Sequence, residues 1–203
     1  MTPKTSIASD PSWSPDGRWL AFDTSGAGEI WKVRASGGKP VQLTHRRDDG
    51  DSSPAWSPDG RLIAFVRRVD GRGQIWVMGR DGRDAHPIHM DRGLSASHPA
   101  WSRDGARIAF VATRGNRARI EVTSADGGAT RALTSPHLDA WNPVWLPHDA
   151  GIAFLEAGSG DGAGNLFVMR PSGRGVHRLT HWRGRFRTGQ FAWVGAHYGW
   201  GRC

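Results

Sequence analysis

The chain alternates short apolar runs with polar, glycine-rich breaks. Leu62-Ile63-Ala64-Phe65-Val66 is an unbroken apolar run of strand length, which predicts a strand buried on both faces. Before it stands Pro54-Ala55-Trp56-Ser57, a first strand that leads into the turn Ser57-Pro58-Asp59-Gly60. Ser at the first position, Pro at the second and Gly at the fourth are type I turn preferences. Ile75-Trp76-Val77-Met78 reads as a third strand, and Asp81-Gly82 turns the chain into a fourth that ends at Ile88. Short strands divided by turn signals every 8–12 residues or so predict an all-β sandwich or propeller.

This unit recurs. Its first phrase appears as PSWSPDGRWLAF (11–22), PAWSPDGRLIAF (54–65), PAWSRDGARIAF (99–110) and PVWLPHDAGIAF (143–154). The tryptophans Trp13, Trp56, Trp101 and Trp145 are therefore 43, 45 and 44 residues apart. A second phrase follows each copy, at 30–45, 75–89, 120–134 and 166–181. A period of about 40–45 residues with four strands per unit is the signature of a propeller blade. We place blades at about 10–45, 53–89, 98–134 and 142–181. A partial fifth spans 190–194 (Phe191-Ala192-Trp193-Val194), and non-repeat segments cover 1–9 and 195–203. Because the tryptophans and Phe22, Phe65, Phe110 and Phe154 occur in every unit, they read as packing between blades and not as a ligand cage.

The phrase P-x-W-S-P-D-G-x-x-I-A-F, followed by I-W-V-M and L-T, resembles the TolB-like (WD40-like) propeller repeat over residues 10–181. The resemblance implies a β-propeller, usually of six blades. Similar repeats occur in the propellers that gate prolyl-oligopeptidase-like serine peptidases and in tricorn-type proteases. The chain departs from that pattern: it holds four complete units, its first repeat starts within about ten residues of Met1, and its fifth copy stops after one strand. The expectation is an incomplete or open ring with apolar blade faces at both ends. Such a patch marks an interface, self-association among the options, or an aggregation hazard.

Composition agrees with a packed β protein, since 11 Trp among 203 residues are a large apolar payload. No apolar run reaches the roughly 18 residues of a membrane-spanning helix. The start, MTPKTSIASDPSW, lacks the apolar core of a secretory signal. The resemblance implies a periplasmic or secreted setting if the natural N-terminus lies further upstream, and a cytoplasmic one otherwise. The single cysteine, Cys203, excludes an internal disulfide. The net charge of +8 is uneven. Residues 162–203 hold seven Arg and no acid, which leaves 20 Lys+Arg against 19 acids in the rest. Arg183, Arg185 and Arg187 interleave with Trp182 and Phe186, the pairing that single-stranded nucleic-acid platforms use. One hexamer is slight support, and nucleic-acid binding is the last of three readings.

Catalytic motifs are lacking. Gly93-Leu94-Ser95-Ala96-Ser97 approaches a nucleophile elbow but misses its second glycine and any helical pattern after it. The chain is expected to be no enzyme and to need no cofactor. His45, His89, His137 and His181 fall near the ends of the fourth strands and are expected on one rim, solvated and too far apart for one tetrahedral metal site. Asp48-Asp49-Gly50-Asp51 and Ser159-Gly160-Asp161-Gly162 offer oxygens for calcium but read better as solvated ion pairs with Arg46-Arg47 and as a hairpin. The binding candidates are the residues before the inner-strand prolines: Asp10, Ser53, His98 and Asn142, polar in all four units. At the leading ends of inner strands they would face the channel mouth, where convergent polar groups orient a ligand. The function expected is a non-catalytic interaction module for another protein or a peptide. The alternative is a fragment of a peptidase's gating propeller.

Overall fold

A computed structural model describes residues 7–25, 28–45, 50–88, 93–135, 137–157 and 164–181. Among them lie four antiparallel sheets of four strands, each in chain order. Blade 1 comprises β1 (Ala8–Trp13), β2 (Trp19–Thr24), β3 (Glu29–Arg34) and β4 (Val41–Gln42). Blade 2 comprises β5 (Asp51–Trp56), β6 (Leu62–Val69), β7 (Arg72–Gly79) and β8 (His86–Pro87). Blade 3 holds β9 (Ser95–Trp101), β10 (Arg107–Arg114), β11 (Arg117–Ser124) and β12 (Arg131–Ala132). Blade 4 holds β13 (Ala140–Trp145), β14 (Ile152–Ala157), β15 (Gly164–Met169) and β16 (His177–Arg178). The first strands touch one another in succession, β1 with β5, β5 with β9 and β9 with β13, so they are innermost. Among the described residues, no strand of blade 4 packs on a strand of blade 1 as successive blades pack.

The unbroken apolar runs are buried on both faces, and the alternation along each second strand assigns the faces. Ile63 and Phe65 of blade 2 pack forward on Ala21, Ile30 and Leu43 of blade 1. The opposite face of blade 2, with Ala64, Val66, Ile75 and Val77, meets Trp101, Ile108 and Phe110 of blade 3. Blade 3 repeats the pattern, offering Ala109, Val111 and Ile120 to Ile152 and Phe154 of blade 4. Blades 2 and 3 thus have a front face with aromatic residues and a back face of smaller aliphatics, while the back of blade 1 adds Trp19 and Asp23 to Ala21 and Ile30.

Polar groups of the repeat tie these layers. The Trp101 indole donates to the Ala55 carbonyl at 3.0 Å, and the Trp145 indole to Ala100 at 3.1 Å, so the inner tryptophans link blade 3 to blade 2 and blade 4 to blade 3, whereas the Trp56 indole nitrogen of blade 2 is buried without a hydrogen-bond partner among the described residues. Thr44, Thr134 and Thr180 of the L-T phrase accept the backbone N–H of Ile30, Ile120 and Leu166 at 2.9–3.0 Å, fixing the chain as it leaves the outer strand. In the turns, Ser14, Ser57 and Ser102 each accept a backbone N–H at 2.9 Å and donate to the Asp two residues on. The next blade's turn glycine sits against the turn proline: a Cβ on Gly60 would lie 3.1 Å from Pro15 and one on Gly105 3.5 Å from Pro58.

Three details differ from the sequence reading. The second and third strands of blades 2 and 3 run to eight residues, while every fourth strand has only two. The outer position explains the latter, since each fourth strand pairs with its sheet on one side and Pro87 cannot donate to a ladder. Blade 4 replaces its turn with a 3-10 turn over Pro147–Asp149, where His148 and Asp149 take positive φ. Finally, Asp51 is no solvated loop acid. It lies in β5 and forms a buried two-point pair with Arg67 of β6, both contacts at 2.8 Å. The Arg67 guanidinium also covers the rings of Phe65 and Trp76. Residues 46–49 and 158–163 lie outside the described residues.

Candidate functional site

Asp10, Ser53, His98 and Asn142 share one unusual conformation, with φ of 46°, 52°, 50° and 50°. The strand registers give the cause. Ser9 pairs with Asp23 and Ser12 with Ala21, so Asp10-Pro11 oppose Phe22 alone. Ser53-Pro54, His98-Pro99 and Asn142-Pro143 oppose Phe65, Phe110 and Phe154 in the same way. Each innermost strand therefore carries a β-bulge at X-Pro, with X left-handed. Asp, Asn and His tolerate that region better than most residues, which is the physical reason for polar side chains there. The bulges sit at the third or fourth residue of each strand and not at its leading end. The proline does not end the pairing, because the bulge carries the strand through it. These residues stand on the innermost strand of each blade.

Asp10 and Ser53 come together directly, and His98 lies within electrostatic reach of Asp10 and Asp23. The Ser53 hydroxyl donates to the Asp10 carboxylate across blades 1 and 2, at 2.7 Å. The Ser53 backbone N–H donates to Asp23 at 2.9 Å, and the Ser9 hydroxyl donates to the same carboxylate. Burial pushes the Asp23 carboxyl above its usual range and Asp10 adds to that, while the Ser9 and Ser53 bonds and His98 oppose it. Burial likewise pulls the His98 imidazole of blade 3 below its usual range, against the attraction of Asp10 and Asp23. His98 Nδ1 is buried with no hydrogen-bond partner. Among the described residues, no Lys or Arg forms an ion pair with either carboxylate. Asn142 shares the backbone but not this hydrogen-bonded group.

Asp23 is the member that the sequence reading missed. Its signal was present: Phe22-Asp23 stands where the other units have Phe65-Val66, Phe110-Val111 and Phe154-Leu155. An acid in an apolar, inward register position calls for a polar counterpart.

The sequence profile of the TolB beta propeller domain matches residues 1–195. The chain belongs to the TolB β-propeller family. No curated protein matches its sequence. Among solved structures it is similar to a TolB from Agrobacterium tumefaciens, with a TM-score of 0.76 and 22% identity over 87% of this chain and 63% of that one. TolB from Acinetobacter baumannii gives 0.73 and 23%, over 87% and 44%. A chain of a nidogen/laminin complex gives 0.73 and 16%, over 87% and 65%. The chain thus spans less than two-thirds of each of these proteins. Enzymes share the architecture too, an oligogalacturonate lyase and a prolyl endopeptidase among them, so the fold alone selects no function.

The remaining candidates of this TolB-type propeller stand apart. His45, His137 and His181 are exposed, and no group of three or more metal-ligating side chains exists among the described residues. Arg117 reaches His137 Nδ1 at 3.1 Å. His89, the arginines at 183, 185 and 187 and the fifth copy at 190–194 lie outside the described residues. Ser95 is no nucleophile elbow: it lies in strand β9, and its hydroxyl accepts the Gly73 N–H at 3.0 Å. A cavity of about 310 Å³ between the turns of blades 2 and 3 is lined by Ser57, Asp59, Trp101 and Arg103 among others.

Proposed function

We propose that this chain is a non-catalytic interaction module that binds a protein or peptide segment on the inner wall of its propeller. The carrying observation is the convergence of Asp10, Asp23, Ser53 and His98 from three blades, with two carboxylates that form no ion pair with a Lys or Arg among the described residues. Convergent polar groups in a concave site orient a ligand. Two carboxylates beside a neutral imidazole favour a basic group, a Lys or Arg side chain or an amino terminus. A likeness in fold supports a partner that is itself a protein, since one neighbour was solved in a nidogen/laminin complex.

The test is fluorescence anisotropy of the full chain with two pools of labelled peptides, matched in length, one basic and one acidic. The expected result is binding of the basic pool, weakened about tenfold or more by Asp10→Asn, since one charge-assisted contact is worth roughly 1.5–3 kcal/mol. Equal binding of both pools, or no effect of the substitution, would remove the reading. A second reading, the gating propeller of a prolyl-oligopeptidase-like peptidase, draws support from the likeness to a prolyl endopeptidase. It predicts no preference for basic peptides.

A further inference from the structure

The two end faces of the four-blade arc are the separate halves of an interface that the chain builds three times internally. On the back of blade 4, Ala153, Leu155, Leu166 and Val168 occupy the register positions of Ala64, Val66, Ile75 and Val77 in blade 2. The blade 2 set is buried, whereas the blade 4 set is only partly covered. Leu179 makes the contrast sharper: it is 51% exposed, against 4% for Leu43 and 7% for Leu133 at the corresponding place. On the front of blade 1, Trp13, Leu20 and Phe22 are partly covered, while Trp56, Ile63 and Phe65 in blade 2 are buried. Neither set contains a charged residue. Stacked-repeat proteins stay soluble by giving their terminal units a polar outer face, and among the described residues the sets named here at these two ends are apolar.

We propose that a second copy of this chain covers the back of blade 4 with the front of its own blade 1. The internal interfaces define the complement: a back face of Ala, Val, Ile and Leu receives an inner-strand Trp, an Ile and a Phe. The front of blade 1 presents Trp13, Leu20 and Phe22 in that order along the same strands. The contact also continues the tryptophan ladder, with Trp13 of the second copy placed to donate to the Val144 carbonyl as Trp145 donates to Ala100. Such an interface is heterologous, because two different faces meet, and it joins copies head to tail. It lies on surfaces other than the inner wall and stands independently of ligand binding.

Light scattering of the full 203-residue chain after size exclusion tests it, with one variant for each face. Phe22→Glu disables the front and Leu179→Glu the back. Wild type is expected to exceed 22.1 kDa and to grow with concentration. Each variant alone is expected to be monomeric, and their equimolar mixture to give a 1:1 dimer, since one intact front and one intact back remain. Val33→Glu and Val168→Glu repeat the experiment should either first variant lose its β-sheet circular dichroism. A wild type that stays at 22.1 kDa over the whole concentration range overturns the proposal. So does a mixture that remains monomeric, or a single variant that still dimerises.

Discussion

The Asp149 carboxylate of blade 4 accepts the backbone N–H of Arg103 in blade 3 at 2.7 Å and that of Asp104 at 3.1 Å. Two departures from the repeat meet in this contact. Blades 1 and 2 have proline where blade 3 has Arg103, and proline offers no N–H. Replacing it with arginine creates a donor between the turns. Blade 4, which lacks the S-P-D-G turn, supplies the acceptor from a left-handed Asp149. Where blades 1 and 2 stack a proline on the next glycine, blades 3 and 4 form a charge-assisted hydrogen bond.

Asp149→Ala should therefore cost about 1 kcal/mol, the net worth of such a bond at a partly exposed site. In an Arg103→Pro background the same substitution should cost measurably less, because one donor is gone. Urea unfolding of the four proteins of this double-mutant cycle gives the coupling. Equal costs in both backgrounds would mean that the contact carries no energy.

The turn carboxylates make the fold sensitive to acid. The Ser14 hydroxyl and the Arg18 N–H hold Asp16 below its ordinary range, and the Ser102 hydroxyl and the Ala106 N–H do the same for Asp104. A depressed folded value means stability that is present above the unfolded value of about 3.8 and is lost as pH falls through the folded one. Melting temperature should fall below about pH 4, and Asp16→Asn with Asp104→Asn should flatten that part of the profile.

His98 acts in a higher window. Its folded value lies below the unfolded one near 6.5, so the unfolded chain takes up a proton first, and stability declines as pH drops below about 6.5. His98→Asn keeps a residue suited to the left-handed region, as Asn142 does in blade 4. It should remove this part of the slope in thermal unfolding between pH 7 and 5; an unchanged slope would assign the titration to another group.

The Asp51–Arg67 pair is a buried ion pair with an internal control. Removing one partner strands a charge, so Arg67→Ala should cost about 3–5 kcal/mol. Blade 3 sets Ala96 opposite Ala112 at the same register position, so the double substitution to alanine copies a pairing that the fold already uses. The double variant should unfold at a higher urea concentration than Arg67→Ala alone.

The blade architecture was legible because its causes are local and repeated. A turn that needs Ser, Pro, Asp and Gly writes itself into the chain at Ser57–Gly60, and a strand sandwiched between sheets must read as an apolar run at Leu62–Val66. The candidate positions were legible for the same reason, one polar residue before each inner proline. Their conformation was not, because a bulge depends on the register between two strands. Relations between blades were hidden as well. Asp23 joins Ser53 across 30 positions, and Asp149 meets Arg103 across 46, and sequence spacing carries no sign of either.

The left-handed bulges have a consequence for how this wall can change over time. A position held at φ near 50° rejects β-branched and bulky apolar side chains, whose Cβ would collide with the backbone. Mutation can exchange Asp, Asn, Ser or His there without disturbing the blades, but it cannot readily install valine or isoleucine. The backbone thereby restricts the chemical alphabet of the wall, and new binding preferences would arise by trading charge and hydrogen-bonding pattern, leaving greasy pockets out of reach.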